Sequence, residues 1–125
     1  MTEHRKATIS ALVSAGFLTG MGVLHFVKPK PFDGLIPEAL PGLARAWTYG
    51  SGVAELAVAG LLAAPQTRRL GGRLATLLYL GVFPGNLKMA WDWRDRPLTS
   101  RLIAWGRLPF QALLIRQSEH IHRHA

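Results

Sequence analysis

Four long apolar runs, separated by short polar connections, dominate the pattern of the chain. The first covers residues 7–27, which include no Asp, Glu, Lys or Arg, and the others cover about residues 46–64, 70–91 and 100–118. At a rise of about 1.5 Å per residue, a helix over the first run is about 30 Å long, which matches the hydrocarbon core of a bilayer. The pattern predicts an all-α, integral membrane four-helix bundle that forms one domain over residues 1–125.

Two parts of the pattern leave alternatives open. Arg107 interrupts the fourth run, so an interfacial helix is the alternative to a membrane span there. A soluble bundle is the alternative for the whole chain, but a soluble helix needs a polar face, and residues 7–26 are apolar or small all round. Residues 28–45 contain four prolines, which exclude a long helix and predict a connection that lies over one end of the bundle.

Composition narrows the classes of partner and cofactor. Of the 125 residues, 49% are hydrophobic and 18% are charged, and the formal net charge is +8. Lys and Arg are spread over every connection, which favours anionic lipid headgroups as partners and argues against nucleic acid. The absence of cysteine excludes iron–sulfur ligation and covalent haem attachment. The basic pair Arg68-Arg69, in a short turn between two spans, favours a cytoplasmic N-terminus.

A layer of polar residues is predicted inside the membrane. His25, Glu55, Asn86 and Arg107 each belong to a different span and lie within about 15 Å of the face that carries residues 28–45. An unpaired charge at the centre of a span costs about 2.5–3.5 kcal/mol, which predicts an ion pair between Glu55 and Arg107 with Asn86 and His25 bonded to it. The layer either fixes which helices are neighbours or lines a cavity for the polar head of a quinone or lipid. In the second case Glu55 or His25 handles protons.

Two further motifs are weaker indications of function. Glycines spaced four apart, at Gly16 and Gly20 in the first span and at Gly81 and Gly85 in the third, favour close helix packing within the bundle or between copies. The segment 120–124 places two histidines four residues apart, a spacing that suits a metal on a helix, but we interpret it as a solvated end and predict no metal site.

Several short motifs resemble those of one known family. They are Gly22-Val-Leu-His-Phe26, Pro31-Phe32, Ile36-Pro-Glu-Ala-Leu-Pro41, Ser51-Gly-Val-Ala-Glu55, Phe83-Pro-Gly-Asn86 and Arg107-Leu-Pro-Phe-Gln111. Together they resemble the DoxX-like family of small bacterial membrane proteins, over about residues 15–115. The resemblance implies four membrane helices in the bacterial inner membrane. It also implies that five residues match the polar positions of the family, namely His25, Glu55, Asn86, Arg107 and Gln111.

The resemblance implies an accessory or anchoring subunit of a membrane redox system, with a quinone as the ligand of the polar layer and an oxidoreductase subunit or a second copy as a partner. No complete catalytic set is visible, so enzymatic activity is left open. A structural or assembly protein, in which the polar layer only fixes helix packing, is the alternative. Small-solute transport is a third interpretation, but four helices make a narrow bundle that would need an oligomer.

Overall fold

A computed structural model of the protein describes residues 2–36 and 40–125. Within these residues the chain is all-α, as predicted, with five helices and no strand. The helices are α1 (Glu3–Val27), α2 (Lys30–Asp33), α3 (Ala44–Ala63), α4 (Arg68–Asp92) and α5 (Leu98–His124). The four long helices correspond to the four predicted runs, and α2 is a single turn within the proline-rich connection.

Local chemistry explains where the helices begin and end. The Thr2 side chain caps α1 by accepting a hydrogen bond of 3.1 Å from the backbone N–H of Arg5, so the helix begins before the predicted residue 7. At the turn from α3 to α4, the Arg68 guanidinium donates to the carbonyls of Leu62 and Ala63, both at 2.8 Å. These bonds satisfy carbonyls that the end of α3 leaves without helical partners, so the turn is short and closed.

The four long helices form a ring in which α1 packs most extensively on α3, and α4 on α5. The contact between α3 and α4 is smaller, and that between α1 and α5 is the smallest of the four. We call the half that holds residues 3–16, 58–76 and 115–124 the closed half. The other half, which ends in residues 28–36 and 40–43 and in the turn from α4 to α5, is the open half.

Glycines bring the helices together, but not at the predicted spacing. A Cβ at Gly22 would lie 3.1 Å from the carbonyl oxygen of Gly52, and one at Gly72 would lie 2.7 Å from the backbone nitrogen of His122. The close contacts of α1 with α3 and of α4 with α5 therefore require glycine. A Cβ at Gly16 or Gly20 would meet nothing within 4 Å, because the face of α1 that carries these residues is turned away from the bundle.

Small residues make up much of the interior, and many large apolar side chains lie outside. The buried alanines are Ala7, Ala11, Ala15, Ala59, Ala75, Ala90 and Ala104. Large apolar side chains are instead exposed on each long helix, among them Val13 on α1, Leu56 on α3, Leu77 on α4 and Leu113 on α5. Helices with small inner residues approach one another closely, and their apolar outer faces have no partner within the described chain.

The predicted set of four membrane spans is not supported. Of the described helices, α1 alone is long and apolar enough by composition to be a candidate span, and a core helix or a signal sequence near an N-terminus would meet the same criterion. The other long helices do not meet this criterion, and charged residues lie within them, such as Arg45 and Glu55 in α3 and Arg73 and Lys88 in α4. The all-α fold is thus observed, while multi-pass insertion stays a prediction.

Candidate functional site

A cavity of about 970 Å³ occupies the open half between the four long helices. All five predicted polar site residues line it, namely His25, Glu55, Asn86, Arg107 and Gln111. The rest of its wall is mostly apolar, with Leu18 and Met21 from α1, Ala54 from α3, Val82 from α4 and Ile103 from α5. The structure therefore places in one cavity the polar residues that the sequence distributes over four helices.

Residues 28–36 and 40–43 cap this cavity, as the proline pattern predicts. Phe32, Leu35, Ile36 and Leu40 contribute to its wall, and the Phe32 ring stacks on the His25 imidazole with 3.9 Å between ring centroids. The stacking contact of Phe32 was not predicted, although the apolar side of the connection is visible in the sequence. Three further residues of the connection, Pro37, Glu38 and Ala39, lie outside the described residues.

The cap is attached to the bundle through Asp33. Its Oδ1 accepts a hydrogen bond of 2.6 Å from the hydroxyl of the buried Thr48, and its Oδ2 lies 2.9 Å from Nε of Arg45. The Thr48 hydrogen bond, followed by the Arg45 guanidinium, holds the pKa of the Asp33 carboxyl below its ordinary value of 3.8. Lys88 adds a second attachment by donating to the carbonyl of Gly34 at 3.0 Å.

The ion pair in the cavity differs from the predicted one. Glu55 Oε1 lies 3.5 Å from Nε2 of His25, whereas no ion pair joins Glu55 to Arg107. The prediction is wrong because the close contact at Gly22 and Gly52 brings the neighbouring His25 against α3, while Arg107 lies on α5, which does not pack extensively on α3. Which helices are neighbours decides the pairing, and sequence spacing alone does not contain that information.

The geometry of the pair defines the partners of its ring nitrogens and carboxyl oxygens. His25 Nδ1 donates to the carbonyl of Met21 at 2.6 Å, so this nitrogen carries a hydrogen. Nε2, the other ring nitrogen, faces the Glu55 carboxyl. The second carboxyl oxygen, Glu55 Oε2, is buried and has no hydrogen-bond partner among the described residues, in a side chain that is only 9% exposed. The pair can therefore hold a proton, and it retains an acceptor for a further group.

The two amide side chains of the cavity bond to each other rather than to the ion pair. Asn86 Nδ2 donates to Oε1 of Gln111, and Gln111 Nε2 donates to the backbone carbonyl of Tyr79. Both side chains are buried, and these bonds join α4 to α5. The predicted bond between Asn86 and the ion pair is thus absent from the described contacts, and the amides have a clear packing role.

Arg107 is the cation of the cavity wall. Its side chain is half-buried, and within residues 2–36 and 40–125 no carboxylate lies within 4.0 Å of the guanidinium and no hydrogen bond to it is found. Arginine presents five N–H donors in a planar fork. The cavity therefore offers donors from Arg107 and an acceptor from Glu55 to a group that enters it.

A second groove runs along the outside of the bundle between α1 and α5. It has a volume of about 350 Å³ and shares Phe17, Phe110 and Leu114 with the wall of the cavity. A hydrogen bond of 3.1 Å from Ser14 to Gln117 crosses its lining toward the closed half. The groove therefore adjoins the cavity at Phe17, Phe110 and Leu114.

Comparison with known proteins corrects the family assignment. No curated protein and no solved structure matches the chain. The resemblance to the DoxX-like family is wrong, since the family model that matches is a different one. The motifs behind that resemblance are short and rich in glycine and proline, which recur wherever helices pack closely or end. A family model described as a domain of unknown function, DUF8561, matches residues 14–122, and the chain therefore belongs to the DUF8561 family.

Proposed function

We propose that the protein is a multi-pass membrane protein that binds an amphipathic molecule of the quinone class in the open-half cavity, as an accessory or anchoring subunit of a membrane redox system. The observation that carries the proposal is the presence, in one largely apolar cavity, of the Arg107 guanidinium and of a buried carboxylate oxygen of Glu55 that has no hydrogen-bond partner among the described residues. Buried polar groups are normally hydrogen-bonded, so these groups are suited to a ligand.

The exposed surface supports the membrane part of the proposal. Large apolar side chains are exposed along all four long helices, including Val23 on α1, Val53 on α3, Leu80 on α4 and Leu102 on α5. Soluble monomers rarely expose contiguous apolar surface larger than a few hundred Å². Lipid chains would cover this surface, and the small buried residues would then provide close helix contacts, as in membrane bundles.

The cavity and the groove support an amphipathic ligand. A volume of about 970 Å³ lies within the range of about 300–1,000 Å³ that small-molecule sites occupy. A polar head in the cavity can accept hydrogen bonds from Arg107 and meet the His25–Glu55 pair. An apolar chain attached to that head can leave through the groove between α1 and α5, which Phe17 and Phe110 line.

The site chemistry supports a quinone as the class of head group. A quinone has two carbonyl oxygens that accept hydrogen bonds, and its conversion to a quinol takes up two electrons and two protons. His25 Nε2 and the Glu55 carboxyl can hold and donate a proton in the cavity, and the Phe32 ring limits the access of water to them. Electrons would come from an oxidoreductase subunit bound to this protein.

Binding of a short-chain quinone tests the proposal. Decylubiquinone is titrated into the full chain in detergent or nanodiscs, and quenching of tryptophan fluorescence is followed, because Trp47 lines the cavity. We expect saturable binding that Arg107→Gln weakens by about tenfold or more, since a hydrogen bond to a charged group contributes about 1.5–3 kcal/mol. Arg101→Gln is the matched control, because Arg101 is exposed on α5 and does not line the cavity.

The same variants separate the proposal from the structural alternative. Equal affinity in Arg107→Gln and Arg101→Gln, or no saturable binding in the wild type, would contradict the ligand site. The alternative, that the polar residues only fix helix packing, is favoured by the bonds that join Asn86, Gln111 and the Tyr79 carbonyl. It predicts that Glu55→Gln and Arg107→Gln change the melting temperature while no quinone binds.

A further inference from the structure

Three side chains with metal-binding atoms meet at the end of the closed half. They are Glu3, in the first turn of α1, and His120 and His124, one helical turn apart near the end of α5. One ligand atom from each lies within 4.8 Å of the other two, and His120 Nε2 is 2.6 Å from Oε2 of Glu3. This cluster lies at the opposite end of the bundle from the cap of the cavity.

We propose that Glu3, His120 and His124 form a binding site for a divalent transition-metal ion of the zinc class. Two imidazoles and one carboxylate are a ligand set that zinc uses when a fourth position is left to water or another group. A tetrahedral ion with bonds of about 2.0–2.1 Å holds its ligand atoms about 3.3 Å apart. The observed separations, 2.6 Å between His120 Nε2 and Glu3 Oε2 and no more than 4.8 Å between any two of the three ligand atoms, are close to that value.

The fold brings these ligands together for reasons that do not depend on a metal. Next to the cluster, His4 Nδ1 donates a hydrogen bond of 3.1 Å to the carbonyl of His124. This bond already joins α1 to α5. The partial negative charge at the C-terminal end of a helix favours a cation beside His120 and His124. A metal ion would replace the weak exposed contact between α1 and α5 with coordination bonds.

One neighbouring cation competes with the metal. Lys6 Nζ lies 3.3 Å from Oε1 of Glu3, in an exposed pair whose two side chains are about half accessible. The other carboxyl oxygen of Glu3 faces His120 and is available to a metal once the His120 proton is released. The Glu3 carboxylate can therefore stay paired with Lys6 through Oε1 while it binds the metal ion through Oε2.

Titration with Co²⁺ and Zn²⁺ tests the site in the full chain, purified without a polyhistidine tag. We expect one Co²⁺ per chain, with visible absorption typical of tetrahedral coordination, and displacement by Zn²⁺. Glu3→Gln, His120→Ala and His124→Ala should each weaken the affinity by at least about tenfold, because loss of even an outer-shell partner costs about 10–100-fold. His122→Ala is the matched control, since His122 bonds the Arg69 carbonyl and is not in the cluster.

The role of Glu3 separates this site from nonspecific binding by a histidine-rich segment. Binding that Glu3→Gln leaves unchanged, or that His122→Ala weakens as much as His120→Ala does, would overturn the proposal. A wild type that binds no Co²⁺ and no Zn²⁺ would overturn it as well. Because the cluster is remote from the cavity, the outcome is independent of quinone binding, and both variants at position 120 and 122 can be checked for folding by circular dichroism.

Discussion

The closed and open halves of the bundle differ in how fully their inward-facing carboxylates are hydrogen-bonded. In the closed half, the Thr76 hydroxyl bonds to Ser118 at 2.6 Å and to Oε2 of Glu119 at 2.9 Å, and Arg73 Nε donates to that same oxygen at 3.1 Å. Thr76 foremost, with Arg73, keeps the pKa of the Glu119 carboxyl below its ordinary value. In the open half, Glu55 Oε2 has no partner among the described residues.

The cavity therefore results from the way the helices are arranged and not from residues that pack poorly. Both halves use small residues where helices meet, with Gly22 and Gly52 in the open half and Gly72 in the closed half. In the open half the helices enclose a cavity that the five polar residues line, and the described part of the cap contributes to its wall. Departures from full packing and full hydrogen bonding are expected at functional sites, where they leave room for a ligand.

The strongest test of this comparison is a substitution at the closest helix contact of the closed half. Gly72→Leu should lower the free energy of unfolding by about 3 kcal/mol or more, at the upper end of overpacking effects, because a Cβ would lie 2.8 Å from the Ser118 carbonyl oxygen. Thermal denaturation in detergent, followed by circular dichroism, measures the effect. Gly81→Leu on the same helix is the control, since its Cβ meets nothing within 4 Å, and equal losses would contradict the packing described here.

A pair of matched alanine substitutions compares the space available in the two halves. Ala75 is 1% exposed in the core of the closed half, and Ala54 lines the cavity. Ala75→Leu should cost about 1–3 kcal/mol of stability because the core has no room, whereas Ala54→Leu should change stability by about 0.5 kcal/mol or less. The same denaturation assay measures both. Ala54→Leu should also weaken quinone binding, and a large stability loss in this variant would show that the cavity is not free space.

A smaller effect is expected from the buried hydroxyl pair of the closed half. Ser118→Ala removes one of the partners of the Thr76 hydroxyl and should cost about 0.5–1.5 kcal/mol, the usual contribution of a neutral hydrogen bond. Thr19→Ala is the control, because among the described residues the Thr19 hydroxyl bonds to the Ala15 carbonyl of its own helix, on an exposed face. A cost at position 19 equal to that at position 118 would show that the interhelical bond contributes nothing.

The smallest effect concerns the pH dependence of the cap. The pKa of Asp33 is lowered in the folded protein, so its carboxylate stabilises the fold above the unfolded value of 3.8, and this contribution is lost as the pH falls through the folded pKa. Asp33→Asn should therefore lower the melting temperature slightly at neutral pH and make no difference well below pH 3.8. Its amide oxygen can still accept from Thr48, which isolates the effect of charge. A difference that persists unchanged at low pH would contradict this assignment.

The helices and the residues that line the cavity were predictable, because the sequence of each segment by itself determines the periodicity of the helix and the depth of each residue in it. An apolar run fixes a helix, and a residue's distance from the end of its run fixes its level in the bundle. For this reason His25, Glu55 and Arg107 were expected at similar depth, and the structure places them in one cavity. The cap was expected because its prolines prevent a long helix.

The pairing of residues could not be predicted, because it depends on which faces of which helices meet. Two residues at the depth of Glu55, His25 and Arg107, were candidate partners for its carboxylate. The close approach of Gly22 to α3 brings His25, and not Arg107, against Glu55. The same limitation applies to the metal cluster, where Glu3 and His120 are 117 positions apart in the chain. A pair of histidines one turn apart is visible in the sequence, whereas the carboxylate that joins them is not.

The unequal contacts around the ring divide the bundle into two pairs of helices, because α1 packs mainly on α3 and α4 on α5. Among the described residues, the hydrogen bonds between α1 and α5, such as that from Ser14 to Gln117, lie in the closed half. If the two pairs rotate against each other, we therefore expect the groove between α1 and α5 to widen on the side of the cavity. A crosslink between α1 and α5 in the closed half should then slow the exchange of a bound molecule without altering the residues that line the cavity.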